Sequence, residues 1–166
     1  QHGGPEVLQL EEIPEPQPGA GEVLLEVRAA ALNHLDLFVR RGMPGVKVPF
    51  PRIPGSDAAG VVAALGAGAT GFAPGDRVLI NPGVSCGECE FCAGGEGSLC
   101  LTYRLFGEHC DGTHAQRLAV PARNCFPIPA GLSFEEAAAL PLVSLTAWRM
   151  LVTRAQLRRG ETVLVH

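Results

Sequence analysis

Short stretches of alternating apolar and polar residues, separated by glycine and proline, dominate the first three quarters of the chain. An alternation with a period of two is typical of a strand with one buried face. It predicts strands within residues 7–13, 22–27, 61–65, 74–80 and 115–120. Repeated short strands with glycine-rich and proline-rich turns are typical of a barrel or a compact sandwich. The pattern therefore predicts a mainly β domain.

One part of this β-rich region departs from the alternation. Apolar residues are spaced among polar ones over residues 29–41 in a way that predicts a short helix, ended by Gly42. Residues 44–54 contain four prolines, which remove backbone donors and predict a surface loop.

The last part of the chain has the pattern of an α/β segment. Ser133 and Glu136 match a capping box ahead of an apolar run. Pro141 is expected to break or kink the helix that follows, and Gly160 is expected to end a second one. The predicted elements are a helix beginning at Phe134, a helix over residues 142–157 and a buried strand over residues 162–166.

The composition is that of an ordinary globular protein and argues against two classes of partner. The 166 residues are 46% hydrophobic and 18% charged, enough for one domain or slightly more. The formal net charge is −4 and no basic run exceeds two residues, so we expect no nucleic-acid partner. The longest apolar stretch, residues 137–148, is shorter than the roughly 20 residues of a membrane span. We expect no membrane partner and find no signal-peptide pattern.

Four of the six cysteines follow the pattern C-x2-C-x2-C-x7-C: Cys86, Cys89, Cys92 and Cys100. This spacing allows one short loop, residues 85–101, to bring four sulfurs around a single ion. Zn²⁺ takes four thiolates in a tetrahedron, and such a site has no open position for water or substrate. The sequence therefore predicts one structural zinc per chain.

Two alternatives to zinc remain for these cysteines. In a bacterial iron–sulfur run the fourth cysteine comes three residues after the third and precedes a proline, whereas here seven residues intervene and Leu101 follows. Disulfides suit small secreted domains, but this chain is long enough to bury a core without them. Thiols kept reduced for a metal predict a cytoplasmic protein.

The order of motifs along the chain resembles the zinc-containing alcohol dehydrogenase family, within the medium-chain dehydrogenase/reductase superfamily. The motifs are residues 3–8, residues 60–62 with 75–78, the four-cysteine loop and residues 145–148. The resemblance covers nearly the whole chain. It implies a GroES-like β-barrel catalytic domain over residues 1–132 and connecting helices over residues 133–159. Residues 160–166 would be the first strand of a Rossmann NAD(P)-binding domain, most of which is absent from this chain.

The chain departs from that family at its catalytic zinc. The family holds this ion with an early cysteine, a histidine and a third cysteine or carboxylate, and this chain has Asn33, Ser56 and Leu142 in those places. Leucine cannot bind zinc, and neutral amide and hydroxyl groups are poor substitutes for thiolate and imidazole. Asp57 remains from the family pattern, and His34 could replace one ligand, but neither completes a set of three.

Asn33 and Asp36 resemble the quinone oxidoreductase branch, which uses NADPH to reduce quinones or activated enones without a catalytic metal. The resemblance implies catalytic roles for both residues. It also places Asn33 and Thr146 near the nicotinamide of NADP(H) or NAD(H). Each residue also has a structural interpretation: Asn33 as a helix cap, Asp36 as a solvated carboxylate and Thr146 as a residue packed within a helix.

Three functions follow from these observations. The first is a catalytic-domain fragment of an NAD(P)H-dependent oxidoreductase that passes hydride to a quinone or an activated carbonyl or enone without catalytic zinc. The second is a zinc-dependent alcohol dehydrogenase with a remodelled catalytic site. The third is a zinc-stabilised, GroES-like binding module without chemistry. For either enzyme we expect a small-molecule substrate, a homo-oligomer, dimer or tetramer, at full length, and an isolated fragment that is inactive.

Overall fold

The computed structural model describes residues 1–165, in which a curled antiparallel sheet forms the centre of the molecule. The strands are β1 (Glu22–Ala31), β2 (Asp57–Leu65), β3 (Arg77–Ile80), β4 (Gly83–Val84), β5 (Arg104–Leu105), β6 (Arg117–Pro121) and β7 (Cys125–Pro127). Five of them form one sheet in the order β6-β1-β2-β3-β7, and β4 pairs with β5. The edge strands β6 and β7 are joined by a single 3-10 turn, Ala122–Asn124, so the sheet curls back on itself. The predicted mainly β class is confirmed.

The inner face of this curled sheet forms the core. Alternate residues of the strands point inward, as the sequence pattern predicts. Burying each valine, leucine or isoleucine side chain there stabilises the fold by about 1.5–3 kcal/mol. The members with 1% exposure or less are Val23, Leu25, Ala58, Val62, Val78, Ile80 and Val120.

Four short α-helices lie outside the sheet: α1 (His34–Arg41), α2 (Glu90–Ala93), α3 (Phe134–Ala138) and α4 (Pro141–Trp148). The predicted capping box is confirmed at α3, where the Ser133 hydroxyl accepts the Glu136 N–H at 3.1 Å and the Glu136 carboxylate accepts the Ser133 N–H at 2.8 Å. Pro141 occupies the first position of α4, where its missing N–H has no cost. Among residues 1–165, no helix is both long enough and apolar enough to cross a membrane.

The prediction of a strand at residues 7–13 is wrong. Pro5–Val7 forms a 3-10 turn, and residues 8–13 pair with no strand within the described chain. The alternation reflects no buried face, because Leu10 is fully exposed and Leu8 and Ile13 are more than half exposed. A strand requires a pairing partner, and this segment has none among residues 1–165.

The predicted helix over residues 29–41 begins too early. Residues 29–31 belong to β1, where they pair with residues 57–59 of β2. This long-range pairing overrides the helical preference of Ala29, Ala30 and Ala31. Helix α1 starts only at His34, and Gly42 follows it with a φ of +93°, a conformation that favours glycine.

The two elements predicted at the end of the chain also differ. In place of one helix over residues 142–157, α4 ends at Trp148 and continues as a π-helix, Arg149–Arg154. Residues 162–165 form no strand, because no strand within residues 1–165 lies beside them to pair with. Residue 166, the last of the predicted strand, lies outside the described residues. The domain boundaries near residues 132 and 159 stay predictions.

Candidate functional site

The four predicted metal ligands come together in one cluster between β4 and β5. The sulfurs of Cys86, Cys89, Cys92 and Cys100 all lie within 4.8 Å of one another. Cys92 Sγ lies 3.5 Å from Cys89 Sγ and 3.9 Å from Cys86 Sγ. Four sulfurs about 2.3 Å from a tetrahedral zinc lie about 3.8 Å apart, so these separations fit the ion. Elsewhere in residues 1–165, no group of three or more His, Cys, Asp or Glu residues is arranged to hold a metal.

The backbone around the cluster donates hydrogen bonds to the sulfurs. Cys86 N–H donates to Cys100 Sγ at 3.2 Å, and Cys89 N–H donates to Cys86 Sγ at 3.3 Å. The Cys86 amide is the main reason that the pKa of Cys100 is lowered to about 6, whereas burial raises the pKa of Cys92 to about 11. Four thiols this close cannot all ionise without a cation, and a divalent zinc supplies the charge that they need.

The cysteine loop is tied to the helices at the end of the chain. Arg149 Nη2 lies 2.5 Å from Glu96 Oε2, which links the loop to the π-helix. Both side chains are partly exposed, so water screens this ion pair and its contribution to stability is small. Its effect is to position the loop against the helix.

A second polar cluster surrounds Asn33, the residue before α1. Asp36 Oδ2 accepts the Asn33 N–H at 2.7 Å, and Asp36 Oδ1 accepts the Gly55 N–H at 3.1 Å. The Asp36 side chain is buried, which excludes the interpretation of a solvated helix carboxylate. Asp36 therefore fixes the backbone of Asn33 and the turn that enters β2.

Asp57 holds the side chain of the same asparagine. Asp57 is 1% exposed. Its Oδ2 accepts the Asn33 Nδ2–H at 3.0 Å, and its Oδ1 accepts the Leu142 N–H at 3.0 Å. A flipped Asn33 amide would place its oxygen against the carboxylate, so only one orientation is favourable. A primary amide carries two N–H donors, and Asp57 takes one of them. The second Nδ2–H is left for another acceptor.

The environment of Asp57 changes the pKa of its carboxyl group. Burial raises its pKa above the usual value of about 3.9, and the charge of Asp36 adds to the rise, whereas hydrogen bonds from Asn33 and Leu142 oppose it. The folded state therefore holds the proton more tightly than the unfolded chain. The stability linked to Asp57 is present below pH about 3.9 and is lost as the pH rises through the folded pKa.

This pKa shift leads to a measurable pH dependence. The variant Asp57→Asn cannot titrate at this position, so the wild-type free energy of unfolding minus that of Asp57→Asn should fall as the pH rises from about 3 to 7. Urea unfolding of both proteins across this range measures the difference. A difference that grows with pH would contradict the raised pKa.

The resemblance assigns the ligands of a catalytic zinc to positions 33, 56 and 142, where this chain has asparagine, serine and leucine. Ser56 Oγ is fully buried and donates to the Phe106 carbonyl at 2.9 Å. Leu142 offers only an apolar side chain, and the Asn33 amide nitrogen donates to Asp57. These donors do not fit a catalytic zinc.

The remaining sequence candidates lie near this cluster but are exposed. Thr146 lies one helical turn after Leu142 on α4, and its side chain is exposed rather than packed. His34 is exposed, and its ring centroid lies 5.4 Å from that of Phe38. Because Asp57 binds both Asn33 and Leu142, Asn33 lies close to the first turn of α4.

Sequence reasoning missed the central role of Asp57. Its partners are 24 and 85 residues away, and no local pattern signals either bond. The ion pair between Glu96 and Arg149 joins residues 53 apart, and no local sequence pattern indicates it either. The available signals were the family pattern, which retains Asp57, and its place at the start of an apolar strand, where a buried charge needs partners.

The fold and the cysteine site define a class of protein, a curled β domain with a four-cysteine metal-binding loop. The chain belongs to the alcohol dehydrogenase GroES-like domain family, which residues 19–130 match. This match confirms the predicted GroES-like fold and the family resemblance.

Individual relatives of the chain have different activities. It is 36% identical to acryloyl-coenzyme A reductase from Metallosphaera sedula, over 95% of this chain and 47% of that protein. It is 35% identical to quinone oxidoreductase from Rattus norvegicus, over 99% of this chain and 42% of that protein. A crystal structure of an NAD-dependent alcohol dehydrogenase aligns with a TM-score of 0.93 and 52% identity, covering 97% of this chain and 47% of that one. The chain thus spans about half the length of these relatives.

Proposed function

We propose that the chain is the N-terminal, substrate-binding part of an NAD(P)H-dependent oxidoreductase that reduces a quinone or an activated carbonyl or enone without catalytic zinc. The observation that carries this proposal is Asn33, held by two buried carboxylates where a zinc ligand would otherwise stand. Relatives named quinone oxidoreductase and acryloyl-coenzyme A reductase support an electron-poor acceptor.

In the proposed chemistry, the protein promotes hydride transfer by holding the cofactor and the acceptor in the reactive arrangement. The bound nicotinamide cofactor supplies the hydride, which adds to an electron-poor carbon of the acceptor. The acceptor oxygen gains negative charge and takes a proton from solvent. Asn33 binds that oxygen through its second Nδ2–H, and a preorganised donor of this kind stabilises the charge as it develops.

Each neighbour of Asn33 has a supporting role in this proposal. Asp57 orients the amide and Asp36 fixes its backbone, so both are positioning residues. This changes the role of Asp36 from the catalytic one that the resemblance implied. The exposed hydroxyl of Thr146 is available to bind the cofactor's carboxamide, one turn beyond the Asp57–Leu142 bond.

A zinc-dependent alcohol dehydrogenase is the second candidate, favoured by the 52% identity to the alcohol dehydrogenase structure. The side chains at positions 33, 56 and 142 weigh against it. For either enzyme we propose a homo-oligomer, dimer or tetramer, that works in the cytoplasm at full length. Light scattering of the full-length protein measures its mass in solution.

Turnover by the full-length protein tests the proposed function. We expect NADH or NADPH oxidation with 1,4-benzoquinone, and an unchanged initial rate immediately after brief treatment with dipicolinate, which removes accessible zinc. Oxidation of primary or secondary alcohols that dipicolinate abolishes would support the alcohol dehydrogenase instead. No turnover with any acceptor would support the binding module.

A further inference from the structure

A groove with positive side chains lies along the segment that carries Arg104 and plays no part in the proposed hydride transfer. Two cavities meet at Arg104, one of about 490 Å³ and one of about 250 Å³. Lys47, the only lysine of the chain, and His109 line the larger cavity, and Thr102 and Arg123 line the smaller one. In a chain with net charge −4, this local excess of positive charge is unusual.

The positive charges of the groove are not neutralised by nearby carboxylates. Lys47, Arg104 and Arg123 form no ion pair within residues 1–165. Glu108 is the one acidic residue on the described walls of the two cavities, and its carboxylate lies 3.8 Å from His109 Nδ1. The smaller cavity is also lined by Cys86, and four thiolates around one zinc ion carry a net charge of −2. The larger cavity, with Lys47 and Arg104 against Glu108, keeps a net positive charge.

Two of the donors in the groove are held in place by the backbone. Arg123 Nη2 donates to the Ser85 carbonyl at 2.6 Å, which fixes one end of its guanidinium. The Leu105 N–H donates to His109 Nδ1 at 3.3 Å, so the neutral ring carries its proton on Nε2. Donors fixed in this way lose less freedom when a ligand binds.

The segment that carries Arg104 is bonded to the turn next to the second polar cluster. The groove wall, residues 104–109, is bound to the turn that enters β2, because Ser56 Oγ donates to the Phe106 carbonyl at 2.9 Å. A few residues on, the Thr113 N–H donates to the Gly55 carbonyl at 3.0 Å. The turn that carries Asp57 is therefore packed against the segment that carries Arg104.

We propose that the larger cavity of this groove binds the anionic end of the acceptor substrate, a phosphate or a carboxylate group. The identity of the acceptor rests on the proposed function. Anion binding by the groove is independent of hydride transfer. Arginine matches both groups through paired N–H donors. The acceptor would then be an electron-poor carbonyl or alkene joined to an anionic tail.

The first test measures binding without turnover. Calorimetric titration of the full-length protein with inorganic pyrophosphate, at constant ionic strength and with the nicotinamide cofactor saturating its own site, should show one further site per chain. Arg104→Gln and Lys47→Gln should each weaken it about tenfold, because each removes a charge-assisted contact. Arg28→Gln removes a charge on the exposed part of β1, beside Glu26, and should leave binding unchanged. Absence of binding, or equal losses in all three variants, would overturn the proposal.

A second test distinguishes a substrate tail from free phosphate. For the full-length enzyme, Arg104→Gln should raise KM about tenfold for a carboxylated quinone and leave KM unchanged for its neutral parent. Pyrophosphate binding with no such change in KM would overturn the assignment to the substrate. If no acceptor is reduced while pyrophosphate binding still depends on Arg104, the proposed function fails and so does the substrate assignment, while the anion site stands.

Discussion

Replacing Cys89 with serine is expected to release the zinc ion and to lower the free energy of unfolding by more than about 4 kcal/mol. A serine hydroxyl does not ionise near neutral pH, so only three thiolates remain. The loop between Cys86 and Cys100 contains only a four-residue helix and a three-residue 3-10 turn. This loop buries too little apolar surface to fold without the metal. Zinc binding and folding of the loop are therefore coupled.

Cys110→Ser is the matched control for this prediction. Cys110 lies outside the metal cluster, and its sulfur contacts the Leu105 carbonyl at 3.7 Å, which a serine hydroxyl can also do. We expect the control to keep its zinc and to change the free energy of unfolding by less than about 1 kcal/mol. Chemical unfolding with parallel zinc analysis compares the two variants. Equal losses of stability and an unchanged zinc content in both would contradict a structural metal site.

Asn33→Asp is expected to lower kcat/KM of the full-length enzyme by about 10²–10³-fold, the usual effect of removing one donor to a developing oxyanion. The substitution keeps the shape of the side chain but replaces Nδ2 with oxygen. It removes both N–H donors and places a carboxylate within about 3 Å of Asp57, whose Oδ2 accepts the Asn33 Nδ2–H at 3.0 Å. The loss should appear mainly in kcat, because the donor acts most strongly in the transition state.

Two further variants separate catalysis from folding. Asn33→Ala removes the donors without adding a charge and should lose as much activity with less loss of stability. His34→Ala changes the exposed neighbour and should leave both kcat and KM unchanged. Steady-state kinetics at one pH, with unfolding curves for each variant, provide the comparison. Full activity in Asn33→Ala would show that the amide does not bind the reacting oxygen.

The parts of the fold that depend on nearby residues could be predicted from the sequence. The cysteine cluster lies within 15 residues, and its spacing alone determined which sulfurs meet. The capping box of α3 depends on Ser133 and Glu136, three residues apart, and was likewise predictable. Local chemistry decides both features, since neither needs a distant partner to form.

The parts that depend on distant residues could not be predicted. Ala29, Ala30 and Ala31 favour a helix locally, but they pair with β2 almost 30 residues later and become strand. The role of Asn33 depends on Asp57, and the place of α4 depends on an Asp57–Leu142 bond across 85 residues. The sequence thus suggested candidate residues for the site, but not how they are connected.

Zinc content per full-length chain is the measurement that tests the central claim most directly, that one structural zinc accompanies a metal-free reaction site. Elemental analysis should be made on protein purified without added metal, beside the Cys89→Ser variant. We predict one zinc per chain in the wild type and close to none in the variant. Two zinc ions in the wild type, with one retained in Cys89→Ser, would contradict the account and indicate a zinc-dependent alcohol dehydrogenase.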